Sequence, residues 1–132
     1  NSSAVSLVKV DAGKWILSGT NSYTGTTTVS GGTLLINGDS SAVNGAVSVT
    51  AGALGGNGSL GGAVTVSSTG GVNLADGAVG TLTLGSTLDI TGATGANSLV
   101  FELGNGTGTS DQISVAGTTT VTNPSAAVLT IN

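Results

Sequence analysis

The sequence predicts an all-β chain in which short parallel strands stack into a β-solenoid of about six rungs, with essentially no helix. Apolar residues alternate with small polar residues along many short segments, pairs of turn-forming residues separate those segments, and one segment recurs along the chain. No window combines helical periodicity with strong helix-forming residues, so the chain consists of predicted strands and turns.

Alternation marks the candidate strands. In residues 46–50 (AVSVT), 63–67 (AVTVS) and 81–84 (TLTL), every second residue is Val or Leu, which is typical of a strand with one buried face. Val and Thr restrict side-chain rotation and favour an extended backbone. The remaining candidate strands are residues 87–91, 98–103, 118–122 and 127–131.

Glycine pairs and Asn-Gly pairs lie just before or between these strands. Both kinds of pair tolerate a positive φ and therefore favour turns. The glycine pairs are Gly31-Gly32, Gly55-Gly56, Gly61-Gly62 and Gly70-Gly71, and the Asn-Gly pairs are Asn37-Gly38, Asn44-Gly45, Asn57-Gly58 and Asn105-Gly106.

Short strands with frequent turns fit either a sandwich of hairpins or a coil of parallel strands. A sandwich of this size generally fills its core with several aromatic side chains, whereas this chain has one Trp, one Tyr and one Phe. A solenoid needs only a thin core, because its rungs bury Val, Leu and Ile in columns and each rung contacts only its neighbours. The composition favours the solenoid.

An internal repeat supports the same architecture. Val47 and Val49 recur as Val64 and Val66, at an offset of 17 residues, and variants of the phrase return later in the chain. The alternation places one set of side chains inside the coil. This inward set is Trp15, Leu17, Val29, Leu34, Ile36, Val47, Val49, Val64, Val66, Leu82, Leu84, Leu88, Ile90, Leu99, Phe101, Leu103, Ile113, Val115, Val121, Leu129 and Ile131.

Residues 13–37 read GKWILSGTNSYTGTTTVSGGTLLIN. The segment closely resembles the autotransporter-associated β-strand repeat of the surface-exposed passenger regions of bacterial type V secretion proteins, a motif of the form G-x-L-x-L-[ST]-G-x-N-[ST]-Y-[ST]-G-x-T-x-V-x-G-G-T-L. Trp15 and Leu17 stand at its two leucine positions. The other matching residues are Ser18, Gly19, Asn21, Tyr23, Thr24, Gly25, Val29, Gly31, Gly32, Thr33 and Leu34.

The resemblance covers nearly the whole chain and implies a right-handed parallel β-helix that forms an extended stalk. We therefore predict a single β-solenoid segment over residues 1–132. Within it, residues 13–37 are the best-matching repeat, and residues 45–132 form further degenerate rungs. The start of the sequence shows no basic segment followed by an apolar one, so no signal peptide is expected within it.

Composition excludes several kinds of functional site. The chain has no Cys and no His, which excludes disulfides, thiol catalysis and His-based triads. Two lysines and no arginine cannot neutralise a run of phosphates, so nucleic acid is not an expected partner. No stretch is apolar for long enough to form a membrane helix, and we expect no membrane insertion by this segment.

The six acidic residues do not cluster in the sequence, although a carbohydrate-active β-helix enzyme would need paired carboxylates. They are Asp11, Asp39, Asp76, Asp89, Glu102 and Asp111. Asp89 and Glu102 are predicted at outward mid-strand positions, where they could stack on adjacent rungs. Residues 104–111 are rich in glycine but hold one acid, which allows at most a weak cation site.

The remaining candidates have structural interpretations. Gly56, Gly58 and Gly61 spell G-x-G-x-x-G, but a predicted strand follows where a dinucleotide site needs a helix. Lys9 and Lys14 lack a serine at a characteristic spacing, so we expect solvated lysines that protect an edge strand. Tyr23 is predicted in a turn, where it could stack on a sugar. Trp15 is predicted to be buried, and neither end of the chain shows a charged or helical cap.

The sequence therefore predicts no catalytic, cofactor-binding or metal-binding residues and no cofactor. The expected function is that of an extended stalk or fibre segment, a spacer or adhesin scaffold, outside a bacterial cell or on its surface. One alternative is a filament subunit that stacks end to end through uncapped ends. A second is a carbohydrate-active β-helix enzyme. Expected partners are neighbouring repeats of the same or identical chains, and cell-surface or matrix glycans.

Overall fold

The chain forms parallel strands stacked as a β-solenoid of about four turns. This computed structural model describes residues 4–95, 98–103, 110–120 and 129–131, and no helix occurs among them. The predicted fold class is confirmed, but the predicted six rungs are slightly too many. The four-stranded sheet has one strand in each of four turns. Among the described strands, none from the first coil and none from the last coil belongs to that sheet.

The strands follow one another along the chain without intervening helices. In chain order they are β1 (Leu7–Lys9), β2 (Lys14–Leu17), β3 (Thr27–Ile36), β4 (Asp39–Ser40), β5 (Val47–Gly55), β6 (Ser59–Leu60), β7 (Val64–Asn73), β8 (Thr81–Leu84), β9 (Leu88–Ala93), β10 (Leu99–Phe101), β11 (Gln112–Val115), β12 (Thr119–Thr120) and β13 (Leu129–Ile131).

Two parallel sheets enclose the coil. The nine-stranded sheet runs β1-β3-β5-β7-β10-β13, with β2 paired to β3 and β9 paired to β7 and β12. The four-stranded sheet runs β11-β8-β6-β4. Each strand therefore pairs with its counterpart one turn earlier or later, which is the connectivity of a solenoid rather than of a sandwich of hairpins.

The register of the long sheet reproduces the repeat offset seen in the sequence. Val47 pairs with Val64 and Val49 with Val66. The column of Val47 and Val64 continues to Thr27 in β3 and to Leu88 in β9. A parallel ladder keeps equivalent side chains above one another, so the alternation of one turn continues into the next.

Two glycine pairs lie within strands and not between them. Gly31-Gly32 and Gly70-Gly71 fall inside β3 and β7, which are ten residues long each. The register between β3 and β5 shifts around Ser30, and Gly32 has a φ of 63°. A bulge with a left-handed glycine lets one strand bend around a corner without losing its pairing. The predicted short strands are therefore halves of longer bent ones.

The core is a single cluster of apolar side chains inside the coil. Most of the predicted inward residues are buried there, and five others are partly buried against it. The buried ones are Val29, Leu34, Ile36, Val47, Val49, Val64, Val66, Leu82, Leu84, Leu88 and Ile90. The partly buried ones are Leu17, Leu99, Phe101, Ile113 and Val115.

Two inward predictions are wrong. Leu103 is 50% exposed, because it follows the end of β10 and makes only an isolated antiparallel bridge with Ser110. Trp15 is 46% exposed although it pairs with the buried Leu34, because it lies in the first coil, where one side of the ring is uncovered. The side chains of Val121, Leu129 and Ile131 lie outside the described residues.

Several core residues were not predicted. Val43, Leu54, Leu60, Val72 and Leu74 are all buried in the same cluster. Leu54 and Val72 follow the corners of β5 and β7, where a register shift changes which residues point inward. A simple alternation extended from the start of each strand loses its phase at that corner.

Stacked glycines allow the corners to approach closely. A Cβ atom on Gly45 would overlap the carbonyl oxygen of Gly25, and one on Gly62 would overlap the carbonyl oxygen of Gly45. These glycines precede β3, β5 and β7 at equivalent positions. Successive coils therefore meet backbone to backbone at this corner, and a side chain there would push them apart.

We predict that Gly45→Ala lowers the free energy of unfolding by about 1–3 kcal/mol, because the added methyl group overpacks a backbone contact. Gly19→Ala is the matched control, since a Cβ atom there meets nothing within 4 Å, and it should change stability by less than about 0.5 kcal/mol. Urea unfolding measures both. Equal effects of the two substitutions would contradict the close approach of the coils.

Candidate functional site

The first coil contains a buried lysine. Lys9 ends β1 and is 1% exposed. It pairs with Val29, whose column carries the core, so its side chain points into the coil. The expectation that Lys9 is a solvated lysine is therefore wrong.

Backbone carbonyl groups surround the buried ammonium. Lys9 Nζ donates hydrogen bonds to the carbonyl oxygens of Val10 and Asp11, both at 2.7 Å, and of Gly31 at 3.1 Å. An ammonium has three protons to donate, so these bonds use its full capacity. The lysine thereby satisfies carbonyl groups at the corner of the first two coils.

Trp15 covers the same ammonium. Lys9 Nζ lies 5.6 Å from the centre of the Trp15 ring, which is within the range of a cation–π interaction. We call the buried Lys9 and the partly exposed Trp15 the end plug of the first coil. The end plug lies in the first coil, beside the edge that β1 and β2 form.

Because Gly32 has no side chain, it leaves room for the ammonium group of Lys9. A Cβ atom on Gly32 would lie against Lys9 Nζ and would overlap the carbonyl oxygens of Gly13 and Asp11. The residue also has a positive φ of 63°. The second glycine of the Gly31-Gly32 pair is thus required both by the bend of β3 and by the plug.

The carboxylates mainly accept hydrogen bonds from turns. Asp39 Oδ1 accepts from the amide of Ser41 at 2.9 Å and from the hydroxyl of Ser59, one coil later, at 2.8 Å. The bonds from Ser41 and Ser59 hold the pKa of Asp39 below its ordinary value of 3.8.

Asp89 accepts a hydrogen bond inside β9. Its Oδ1 accepts from the amide of Thr91 at 2.9 Å, and hydrogen bonds from Thr91 lower the pKa of Asp89 below 3.8. Asp89 pairs in register with Thr65 and Thr120. It does not stack on Glu102 on an adjacent rung, because β9 and β10 occupy successive segments of one coil.

Asp111 and Glu102 hold the loop after β7. Asp111 is buried, and its two oxygens accept from the amides of Gly80 at 3.1 Å and Glu102 at 2.7 Å. Glu102 Oε2 accepts from the amide of Gly77 at 3.2 Å. Neither role was predicted, because these partners lie 31 and 25 residues away in the sequence.

The other sequence candidates also have structural roles. Tyr23 packs against the core, and its hydroxyl lies 2.7 Å from that of Thr27. The G-x-G-x-x-G segment begins at Gly56, which has a φ of 107°. It contains β6 and is followed by β7. Within the described ranges, no three acidic side chains come together as a metal site. Residues 104–109 of the predicted weak cation site lie outside those ranges.

An open groove lies on the outer face of the long sheet. It has a volume of about 250 Å³ and is lined by Lys14, Thr33, Leu35, Asn73, Ala75 and Asp76. Between its walls, β5 contributes the small residues Ala53 and Gly55, which pair with Thr33 and Leu35. The groove therefore exists because the middle coil has almost no outward side chain at this point. The alternation of apolar and polar residues in the sequence did not predict this groove.

The outside of the first coil is apolar. Val8 and Ile16 are 52% and 50% exposed, and Val5 and Val10 are also exposed. In the following coils the column of Val8 continues as Thr28, then Ser48 and Thr65. Exposed aliphatic side chains are thus concentrated where the first coil ends the described sheet.

A family model described as passenger-associated-transport-repeat matches residues 7–36. These residues are similar to such a repeat. The result agrees with the resemblance found over residues 13–37 and extends it toward the start of the chain. No curated protein and no solved structure matches the chain significantly.

The segment that matches the passenger-associated repeat corresponds to a structural unit. It begins with β1 and ends with β3, so it contains the first coil and the strand that covers it. The end plug and Gly32 both lie inside it. The repeat family suggests a secreted or cell-surface protein. In the described part of the chain, no helix is long and apolar enough to cross a membrane.

We predict that Lys9→Met lowers the free energy of unfolding by about 1–3 kcal/mol, because it removes the donor from three carbonyl groups at a partly buried corner. Lys14→Met is the control at the exposed lysine and should change stability by less than about 0.5 kcal/mol. Chemical unfolding followed by Trp15 fluorescence measures both variants. If Lys9→Met were as stable as the unaltered chain, the carbonyl bonds would not stabilise the first coil.

We predict that stability falls as the pH drops below 3.8. The folded-state pKa values of Asp39 and Asp89 lie below 3.8, so the unfolded chain takes up protons first. Their contribution is complete above the unfolded pKa and is lost as the pH falls through the folded pKa. The double variant Asp39→Asn, Asp89→Asn should show a shallower decline in unfolding free energy between neutral and acidic pH. An unchanged slope would contradict the assignment.

Proposed function

We propose that this chain is a non-catalytic structural segment of a bacterial autotransporter-like passenger, located outside the cell or on its surface. It acts as a rigid spacer or adhesin scaffold whose length comes from repetition. The passenger-associated repeat and the β-solenoid fold both fit a structural passenger segment.

The coil-to-coil register is the observation that carries the proposal. Three consecutive long strands, β3, β5 and β7, pair in parallel over most of their lengths. Each further turn would add the same backbone hydrogen bonds and a few buried aliphatic side chains, at a rise of about 4.8 Å. Such a rod gains length without needing disulfides, metals or a large core.

The arrangement of the acidic side chains supports a non-catalytic role. Asp39, Asp76 and Asp89 each accept a hydrogen bond from the amide two residues later. Asp111 and Glu102 accept from backbone amides of distant loops. Carboxylates in these positions stabilise turns and connect loops, and each faces backbone amides instead of a partner carboxylate across a cleft.

We predict that an added coil is tolerated when it keeps the register. A second copy of residues 47–63 inserted between Ala63 and Val64 supplies one complete turn, because Val47 and Val64 occupy the same column. The extended chain should stay folded and lengthen by about 4.8 Å. Its denaturant dependence should be steeper, because more surface is buried. Small-angle X-ray scattering and urea unfolding measure these changes.

The matched control is a Gly/Ser insertion of the same length at the same site, which can form a loop but no coil. It should lower the unfolding free energy and leave the denaturant dependence unchanged. If the duplicated coil behaved like the Gly/Ser insertion, repetition would not extend this structure and the spacer proposal would fail.

End-to-end self-association is a second candidate function, favoured by the exposed first coil. β1 and β2 form the first edge of the long sheet, beside the exposed Val8, Trp15 and Ile16. A strand edge bordered by apolar side chains is a template for another strand. Electron microscopy and light scattering across a dilution series test this role. Filaments that persist on dilution would support it, and discrete monomers at all concentrations would exclude it.

A further inference from the structure

The outer groove carries both signs of charge within a small space. Lys14 is exposed on one wall, and Asp76 lies on the other. A simple anion bound there would meet Asp76, and a simple cation would meet Lys14. The groove therefore fits a ligand without net charge that can accept hydrogen bonds at one side and donate them at the other.

The polar groups of the groove have free hydrogen-bonding capacity. Asn73 Oδ1 accepts from the amide of Ala75 at 2.9 Å, which orients the side chain and leaves its amide protons to donate. Asp76 Oδ1 accepts from the amide of Ala78 at 3.1 Å, which leaves the other carboxylate oxygen to accept. Thr33 adds a hydroxyl group and Lys14 three ammonium protons.

The groove also offers an apolar surface. Ala75 and Leu35 belong to its lining; Ala75 is exposed, whereas Leu35 is 4% exposed and its side chain fills the space beside Gly55. A pyranose ring matches this combination, because its hydroxyl groups both donate and accept while its C–H face is apolar. A volume of about 250 Å³ suits one such ring.

We propose that the outer groove binds a single neutral pyranose unit, such as the terminal sugar of a glycan. Lys14 and Asn73 donate to the sugar hydroxyl groups, Asp76 accepts from them, and the exposed Ala75 contacts the ring. Since the groove is open and has no aromatic platform, we expect a dissociation constant on the order of 1 mM. Sugar binding goes beyond the spacer role and does not depend on it.

Titration of the ¹⁵N-labelled chain tests the site. The probes are methyl β-D-glucopyranoside, methyl β-D-galactopyranoside and methyl α-D-mannopyranoside, with glycine as a zwitterionic comparison. We expect at least one glycoside to give saturable amide shifts confined to the surroundings of Lys14, Thr33 and Asn73 to Asp76. The absence of saturable shifts with all three glycosides, or saturation by glycine in their place, would overturn the proposal.

Substitutions assign the binding to the groove. Lys14→Met and Asp76→Asn should each weaken the responding glycoside about tenfold, the loss of one hydrogen bond to a charged group. The Asn side chain keeps an oxygen for the Ala78 amide, and the same spectra report whether each variant is folded. Asp39→Asn, on the four-stranded sheet, is the control and should leave the affinity unchanged. Equal affinity in all three variants would place the sugar elsewhere.

Discussion

The parallel backbone ladder between successive coils is the interaction on which the rest of this structure depends. Each long strand finds its partner about one turn away, as Val47 finds Val64 and Val64 finds Leu88. The ladder aligns equivalent residues in columns, so the core needs only one or two aliphatic side chains per strand segment. It also brings corners so close that residues such as Gly45 cannot carry a side chain. The high glycine content, the thin core and the low charge are consequences of this one constraint.

The few charged residues follow from the same constraint, because a stacked backbone leaves polar groups unpaired at corners and at its first coil. Asp39 accepts a hydrogen bond from the turn amide of Ser41, and Asp89 accepts one from the amide of Thr91 within β9. Asp111 connects two loops. Lys9 instead supplies a donor, because its ammonium group donates to three carbonyl oxygens in the first coil. The ring of Trp15 lies over that ammonium group. Charge in this molecule thus completes the hydrogen bonding of the solenoid, which is consistent with a structural segment.

Alternation and repeat spacing were sufficient to predict the fold class and the columns through Val29, Val49 and Val66. They were insufficient at the corners, where a bulge changes the phase, so that Leu54 was missed. They also cannot separate the interior of a coil from its uncovered end, which is why Trp15 was assigned to the core. A lysine within alternating apolar residues is expected to face solvent, because burial of an ammonium requires donors to be matched by acceptors. The acceptors of Lys9 are backbone groups that only the folded corner brings together, and the outer groove likewise depends on register between distant strands.

The direct test of the parallel stacking is a search for nuclear Overhauser contacts between backbone protons of the labelled chain in solution. The structure predicts contacts of parallel pairing between β5 and β7, with Val49 opposite Val66, and between β3 and β5, with Val29 opposite Val49. These contacts should continue across the corners to Leu54 and Val72. Contacts of antiparallel pairing between strands adjacent in the sequence would instead show a sandwich of hairpins and would contradict the solenoid.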